Sequence, residues 1–178
     1  MNREDDHILV RQCLQGDQKA FEEIVERYHK IVFNVVLRVL NDVEDAADVT
    51  QTVFLKAYES LGKFSERYKF FSWLYKIAVN ESINTLRQRK QAQGIDSGII
   101  STEKNPEEAY GEVELSEKIQ DALMKIGLDY RVVIVLCHFQ ELSYDEISYV
   151  LDLPEKTVKS RLFTARKMLR DILRKEGL

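Results

Sequence analysis

Turn-forming residues are scarce: the 178-residue chain holds 7 Gly and 2 Pro. An all-β chain needs such residues every few positions, so their scarcity excludes that class and points to helices. Cysteine is scarcer still. Cys13 and Cys137 cannot build a disulfide framework, which fits a reducing compartment, the cytoplasm. No apolar run approaches the ~20 residues of a membrane span, and the opening MNREDDHILV is too charged for a secretory signal. Direct membrane insertion is therefore not expected. Metal-ligating residues are few and badly spaced. His7 and Cys13 do not share a helical face, adjacent Cys137 and His138 diverge by ~100° on a helix, and His29 joins neither pair. We expect no metal and no cofactor. Without a Gly-rich phosphate loop or a nucleophile–base pairing, we expect no enzyme either.

What the chain has in quantity is charge, 26 basic against 30 acidic groups for a net −4. Spread evenly, that balance would repel phosphate at long range and exclude a freestanding nucleic-acid binder. It is not spread evenly. Residues 63–90 carry 7 basic and 2 acidic groups, and residues 154–178 carry 8 and 3, so two +5 patches sit in an acidic background. The charge therefore fits DNA binding that depends on a larger partner.

Apolar periodicity gives helices nearly throughout, an all-α fold. Phe21, Ile24, Val25, Tyr28, Val32, Val35 and Val39 form one stripe, with Asp17 as its N-cap. Ala46, Val49, Val53 and Ala57 form a second, with Phe54, Tyr58 and Leu61 beside it and Gly62 as the expected stop. Residues 63–70 lack periodicity and read as a loop. A further helix runs from Phe71 towards Lys90. The segment 91–106 collects two glycines, one proline and small polar residues, so it reads as a flexible linker. Two small helical domains follow, 1–90 and 107–178, the second opening on an acidic helical stretch.

The second domain carries a helix-turn-helix outline. Ser143 to Glu146 is a capping box opening a short helix to about Leu151, and Pro154 suits the start of the last helix. Val158, Leu162, Ala165, Leu169 and Ile172 form that helix's buried face. Lys156, Lys159, Ser160, Phe163, Arg170 and Arg174 lie roughly opposite. A lysine-rich face is ordinarily just solvated. Phe163 among cations, after a short capped helix, reverses that preference, because an exposed ring suits contact with a thymine methyl or sugar in a groove. Lys156, Thr157, Lys159, Ser160 and Phe163 would face the bases and the adjacent backbone.

In the first domain Lys76, Asn80 and Arg87 share a narrow arc, with Lys69 on the same line if the helix starts early. Upstream, Phe64, Tyr68, Phe70, Phe71, Trp73 and Tyr75 are interleaved with Lys63, Arg67, Lys69 and Lys76. Aromatic rings beside cations offer stacking for unpaired bases and charge for their phosphates. Phe71 and Trp73 lie near the core stripe and are expected to pack inward. Phe64 and Tyr68, in the aperiodic loop, are the expected base contacts.

These features together resemble the extracytoplasmic-function (group IV) sigma factors of the sigma-70 family of bacterial RNA polymerase. The resemblance rests on GDQKAFEEIVERY (16–28), DAADVTQTVFLKAY (45–58), FSWLYKIAVN (71–80) preceded by Phe64, and LSYDEISYVLDLPEKTVKSRLFTARKML (142–169), in that order. It implies a promoter-selecting initiation factor that binds core polymerase, through the β′ clamp helices and the β flap, and promoter DNA. Asp45, Asp48, Gln51 and Phe54 would belong to the clamp-docking helix. Phe64, Tyr68, Lys69, Lys76, Asn80 and Arg87 would read and help melt the −10 element. Arg161 and Arg166 would join Lys156, Thr157, Lys159, Ser160 and Phe163 on the −35 duplex. An anti-sigma factor is a further implied partner.

Three positions depart from the family pattern: Thr52 for a usual acidic residue, Ser148 for a common alanine, and Thr164 for a frequent arginine. The rival readings are a conventional helix-turn-helix regulator that binds a duplex operator without polymerase, and a small helical enzyme or scaffold with no DNA role.

Overall fold

The structure is a computed structural model that describes residues 3–93, 112–175 and 177. Its regular elements, among the described residues, are all helical. The first domain comprises α1 (Arg3–Leu14), α2 (Gln18–Leu40), α3 (Val43–Ser60) and α4 (Phe70–Gln93). The second comprises α5 (Glu112–Met124), α6 (Leu128–Ile134), α7 (Tyr144–Leu151) and α8 (Glu155–Lys175). The segment expected as a linker begins inside α4. Its remainder, 94–106, lies outside the described residues, as does the start expected for the second domain.

Local chemistry sets the helix ends. The Asp17 carboxylate accepts the Lys19 N–H at 3.0 Å and opens α2. Asn41, at φ 57°, closes that helix in the left-handed region, and Asp42 immediately caps α3 by accepting the Asp45 N–H at 2.9 Å. The expected stop at Gly62 is different. Leu61, right-handed, caps α3, and the chain tightens into a 3₁₀ turn over Leu61–Lys63 that contains the glycine. Buried Leu61 anchors this turn, so no left-handed residue is needed. The loop then runs to Phe70, where α4 begins one residue earlier than expected.

Two apolar cores hold the chain. The first gathers Ile24, Tyr28, Val32, Val36, Val53 and Leu74, all without solvent exposure. Burying side chains of this size stabilises by roughly 1.5–3 kcal/mol each. The second gathers Leu123, Ile134, Leu136, Ile147 and Leu162 from the second domain, yet it also contains Val35, Val39, Tyr75 and Val79 from α2 and α4. The two domains therefore share a core.

Polar groups reinforce that junction. The Tyr75 hydroxyl donates to Gln140 Oε1 at 2.6 Å, and the Arg38 guanidinium lies 3.8 Å from the Phe139 ring centroid. Phe139 closes a wide π turn, Val135–Phe139, that continues α6. Arg131, on α6, is buried and donates to four backbone carbonyls: Leu123 at 3.0 Å, Met124 at 3.2 Å, Ile126 at 3.3 Å and Val39 at 2.7 Å. Its partners are the orphan carbonyls at the ends of α5 and α2. Burial pushes its pKa down to about 10, which still leaves a cation at neutral pH.

Candidate nucleic-acid interface

The α7–α8 pair is built as the sequence suggests, with one substitution of means. The Ser143 hydroxyl accepts the Glu146 N–H at 3.3 Å, and the Glu146 carboxylate accepts the Ser143 N–H at 2.9 Å, completing the capping box. The turn has no glycine. Asp152 takes the left-handed conformation instead, at φ 55°, and its N–H bonds the Ser148 carbonyl. The Ser148 hydroxyl donates to the Leu153 carbonyl at 2.5 Å. The departure at Ser148 thus braces the turn that an alanine would leave to the backbone alone.

On α8 the expected buried face holds, with Val158, Leu162 and Ala165 buried and Leu169 and Ile172 half-buried. Opposite, Lys156, Lys159, Ser160, Phe163 and Arg166 are exposed, and Phe163 reaches 75%. Thr157 and Arg161 sit at the edge, half-buried, and Arg161 pairs with Asp129 at 3.0 Å. Lys159 pairs with Glu155 at 2.5 Å, and Arg166 donates to His138 Nε2 at 3.0 Å and contacts Cys137 Sγ at 3.7 Å. Burial and then the Arg166 charge hold His138 below its usual pKa, so a neutral ring accepts that bond. Adjacent Cys137 and His138 are reached by one guanidinium across the wide turn, a link that helical spacing alone did not suggest.

The first domain's candidates fall into two places. Asn80 is exposed on α4 and lines an open pocket of about 340 Å³ with Lys56, Glu59, Ser60, Lys63, Ile77 and Glu81. That is the size of an ordinary ligand cleft. Lys56 and Glu81 pair at 2.7 Å within it, so it presents both donors and acceptors. The α3 side of this pocket was missed in the sequence, because Lys56, Glu59 and Ser60 belong to a different helix from Asn80. Phe64 does not extend into solvent. It is half-buried, with ring centroids 5.4 Å from Phe70, 5.6 Å from Trp73 and 5.7 Å from His7.

Tyr68, Lys69 and Lys76 lie on the other flank, facing α7. The Tyr68 ring stacks on Tyr149, centroids 3.6 Å apart and planes 14° from parallel. Lys69 pairs with Glu146 at 2.8 Å, and Lys76 Nζ lies 4.9 Å from the Tyr149 centroid and 4.0 Å from Asp152. Arg87 is exposed further along α4.

The expected docking helix, α3, divides likewise. Asp48 and Gln51 are exposed, and helical spacing places Leu55, 66% exposed, and Tyr58, 53% exposed, on the same side. Tyr58, grouped with the buried stripe from its spacing, instead turns its ring outward against Phe21, centroids 4.9 Å apart. Asp45 is drawn aside by Arg89, which also pairs with Asp42 at 3.0 Å. Burial raises the Asp45 carboxyl, with Arg89 pulling the other way, whereas the Asp45 N–H holds Asp42 below its usual range. Phe54 is corrected outright. At 6% exposure it belongs to the first core, with its ring 6.3 Å from His29, so it supports α3 from within. The Thr52 hydroxyl turns back to the Asp48 carbonyl at 3.0 Å, where an acidic side chain would project from the helix.

Comparison with known proteins places the chain in a family. The family model for sigma-70 region 2 matches residues 24–92, and that for sigma-70 region 4 matches 116–169. The chain is 36% identical over 177 residues to the ECF RNA polymerase sigma factor SigW of Bacillus subtilis, covering 93% of this chain and 95% of that one. Among solved structures it is similar to CnrH in complex with the cytosolic domain of CnrY (TM-score 0.74, 28% identity, 95% of this chain and 97% of that one). The fold is also that of the sigma factor RpoE from Bartonella quintana, solved with the anti-sigma factor NepR (TM-score 0.73, 20% identity, 88% and 98% covered).

Proposed function

The chain belongs to the extracytoplasmic-function group of the sigma-70 family, and from that membership we propose which of its surfaces meet polymerase, duplex promoter and melted strand. It is a non-enzymatic initiation factor that binds core RNA polymerase and directs it to promoter DNA. The operator-binding regulator is not favoured, since both sigma regions lie on the chain in order.

The α8 face of Lys156, Lys159, Ser160, Phe163 and Arg166, with Thr157 and Arg161 at its edge, reads the −35 element in the major groove. The observation that carries this is Phe163, an aromatic ring 75% exposed among cations. A ring placed so costs solvation unless a partner covers it. Asn80 and the mixed donor–acceptor pocket beside it take a −10 base from the non-template strand, with Tyr68, Lys69, Lys76 and Arg87 along the strand's path. Unstacking a base costs a few kcal/mol, and stacking with phosphate neutralisation offsets a comparable amount. Phe64 acts from beneath, holding the loop. On α3, Asp48 and Gln51 dock on the β′ clamp helices, with Asp45 tied to Arg89 at the margin, and the second domain meets the β flap. The factor works in the cytoplasm, and an anti-sigma factor is a further partner, a reading that rests on the family to which the chain belongs.

Runoff transcription with core polymerase tests this. Promoter-dependent transcripts are expected only when the chain is added, with −35 selectivity reduced by F163A and −10 selectivity by N80A. Selectivity unchanged in both variants overturns the surface assignment.

A further inference from the structure

Arg166 differs from its neighbours on the α8 face in what holds it. Lys159 is paired with Glu155 and Arg161 with Asp129, so a carboxylate already answers each of those charges. Arg166 has no carboxylate partner among the described residues. Its Nε–H donates to His138 Nε2 at 3.0 Å, and its Nη2 donates to Cys137 Sγ at 3.7 Å. Nε and Nη2 form the side-on edge of the planar guanidinium. That edge is occupied, whereas the end-on pair, Nη1 with the second N–H of Nη2, meets no acceptor among the described residues. His138 and Arg166 are both exposed, so their bond adds little to stability. Its effect is on geometry. A free arginine side chain loses many rotamers when it binds, and one already clamped loses fewer. The clamp is firm at its base, because Val135 and Leu136 of the same turn are buried in the second core.

We propose that His138 and Cys137 are positioning residues for Arg166, holding its side-on edge so that the end-on edge grips one phosphate of the −35 duplex. This rests on the assignment of α8 to the −35 element given above. A phosphate, and not a base, follows from where Arg166 lies. Bases are read by the N-terminal end of such a helix. Arg166 sits roughly 16 Å further along α8 than Glu155, at 1.5 Å per residue. Its guanidinium is also drawn sideways to the π turn, away from the line of Lys156, Ser160 and Phe163. An end-on guanidinium edge matches two oxygens of a single phosphate, a bidentate fit that a lysine at the same place does not offer. The positive charge is left for that anion because no carboxylate answers it within the chain.

The test uses holoenzyme formed from the full chain and core polymerase, on duplex fragments of a promoter mapped by runoff transcription. Each fragment carries a neutral methylphosphonate at one −35 phosphate in turn, and affinity is read by competition binding. Parent holoenzyme should lose about tenfold at one of these phosphates, the effect of one charge-assisted hydrogen bond. R166A should weaken binding to unmodified DNA by a similar factor and be insensitive to that phosphate. H138L should follow R166A on both counts. H138Q, whose amide oxygen accepts the Nε–H, should bind like the parent. In the R166A background, H138L should add less than about a twofold change. Urea midpoints of H138L and H138Q should match the parent, since the site is exposed. H138L that keeps the parent's sensitivity at that phosphate overturns the proposal. So does H138L that weakens the R166A background as much as the parent background, which is the mark of a merely structural role. R166A that binds as the parent does also overturns it. If F163A still loses −35 selectivity in that case, the α8 assignment stands without the clamp; if F163A loses none, that assignment falls as well.

Discussion

The Arg131 guanidinium donates at 2.7 Å to the carbonyl of Val39, 92 residues earlier in the chain. One side chain of the second domain thereby closes the end of the first domain's longest core helix but one. The same group serves three carbonyls of its own domain, so losing it strands acceptors on both sides of the junction.

Replacing Arg131 by Met should cost about 3 kcal/mol, since buried carbonyls lose their donors while the apolar stem is kept. Urea unfolding checks this. R131K should recover only part of the loss, because an ammonium cannot reach four acceptors with the geometry of a planar fork.

Phe64 and Asn80 should separate stability from selectivity. F64A removes a ring packed on Phe70 and Trp73 and should destabilise by about 2 kcal/mol in thermal or urea melts. N80A, at an exposed site, should stay within about 0.5 kcal/mol of the parent while altering −10 preference in transcription from a promoter library.

On α3, L55D should leave unfolding nearly unchanged, as the side chain is 66% exposed. Its affinity for core polymerase should fall about tenfold, the loss typical of one well-placed interface residue, as measured by competition binding. F54A should show the reverse pattern, losing stability first, since that ring is in the core.

Glu146 supplies a pH dependence. Burial alone would raise its carboxyl, but Lys69 and the Ser143 N–H and hydroxyl outweigh that and hold it below its ordinary value of 4.5. A folded pKa below the unfolded one means the unfolded chain binds the proton more readily. Its stabilising contribution is therefore present above pH 4.5 and is lost as the pH falls through the lower folded value. The stability difference between the parent and E146Q should be constant near neutrality and shrink at acid pH, followed by urea unfolding across the series.

Much of the fold was legible because helices announce themselves locally. The stripe from Ile24 to Val39 and the Ser143–Glu146 capping box need only neighbours three and four residues away. The exposed α8 face was legible for the same reason. What the sequence did not disclose is non-local. Val35 and Val39 extend the core stripe of α2 without any sign that they cross into the second core. Tyr68 and Lys69 sit in the aperiodic loop, and nothing near them in sequence says that they pack against Tyr149 and Glu146. Phe54 was placed on the docking surface with its helix, whereas its burial depends on where the other helices pack. Gly62 had the composition of a stop, and the anchoring of Leu61 made that role unnecessary.

The core shared by the two domains also bears on how long such a molecule can wait. Pulling the second domain away uncovers the apolar strip of Val35, Val39, Tyr75 and Val79 on one side and its counterpart around Leu136 and Ile147 on the other. A chain parted without an escort would offer sticky surface for self-association and loosened backbone for proteolysis. The folded-together form thus spares the chain both hazards by keeping the two strips against each other.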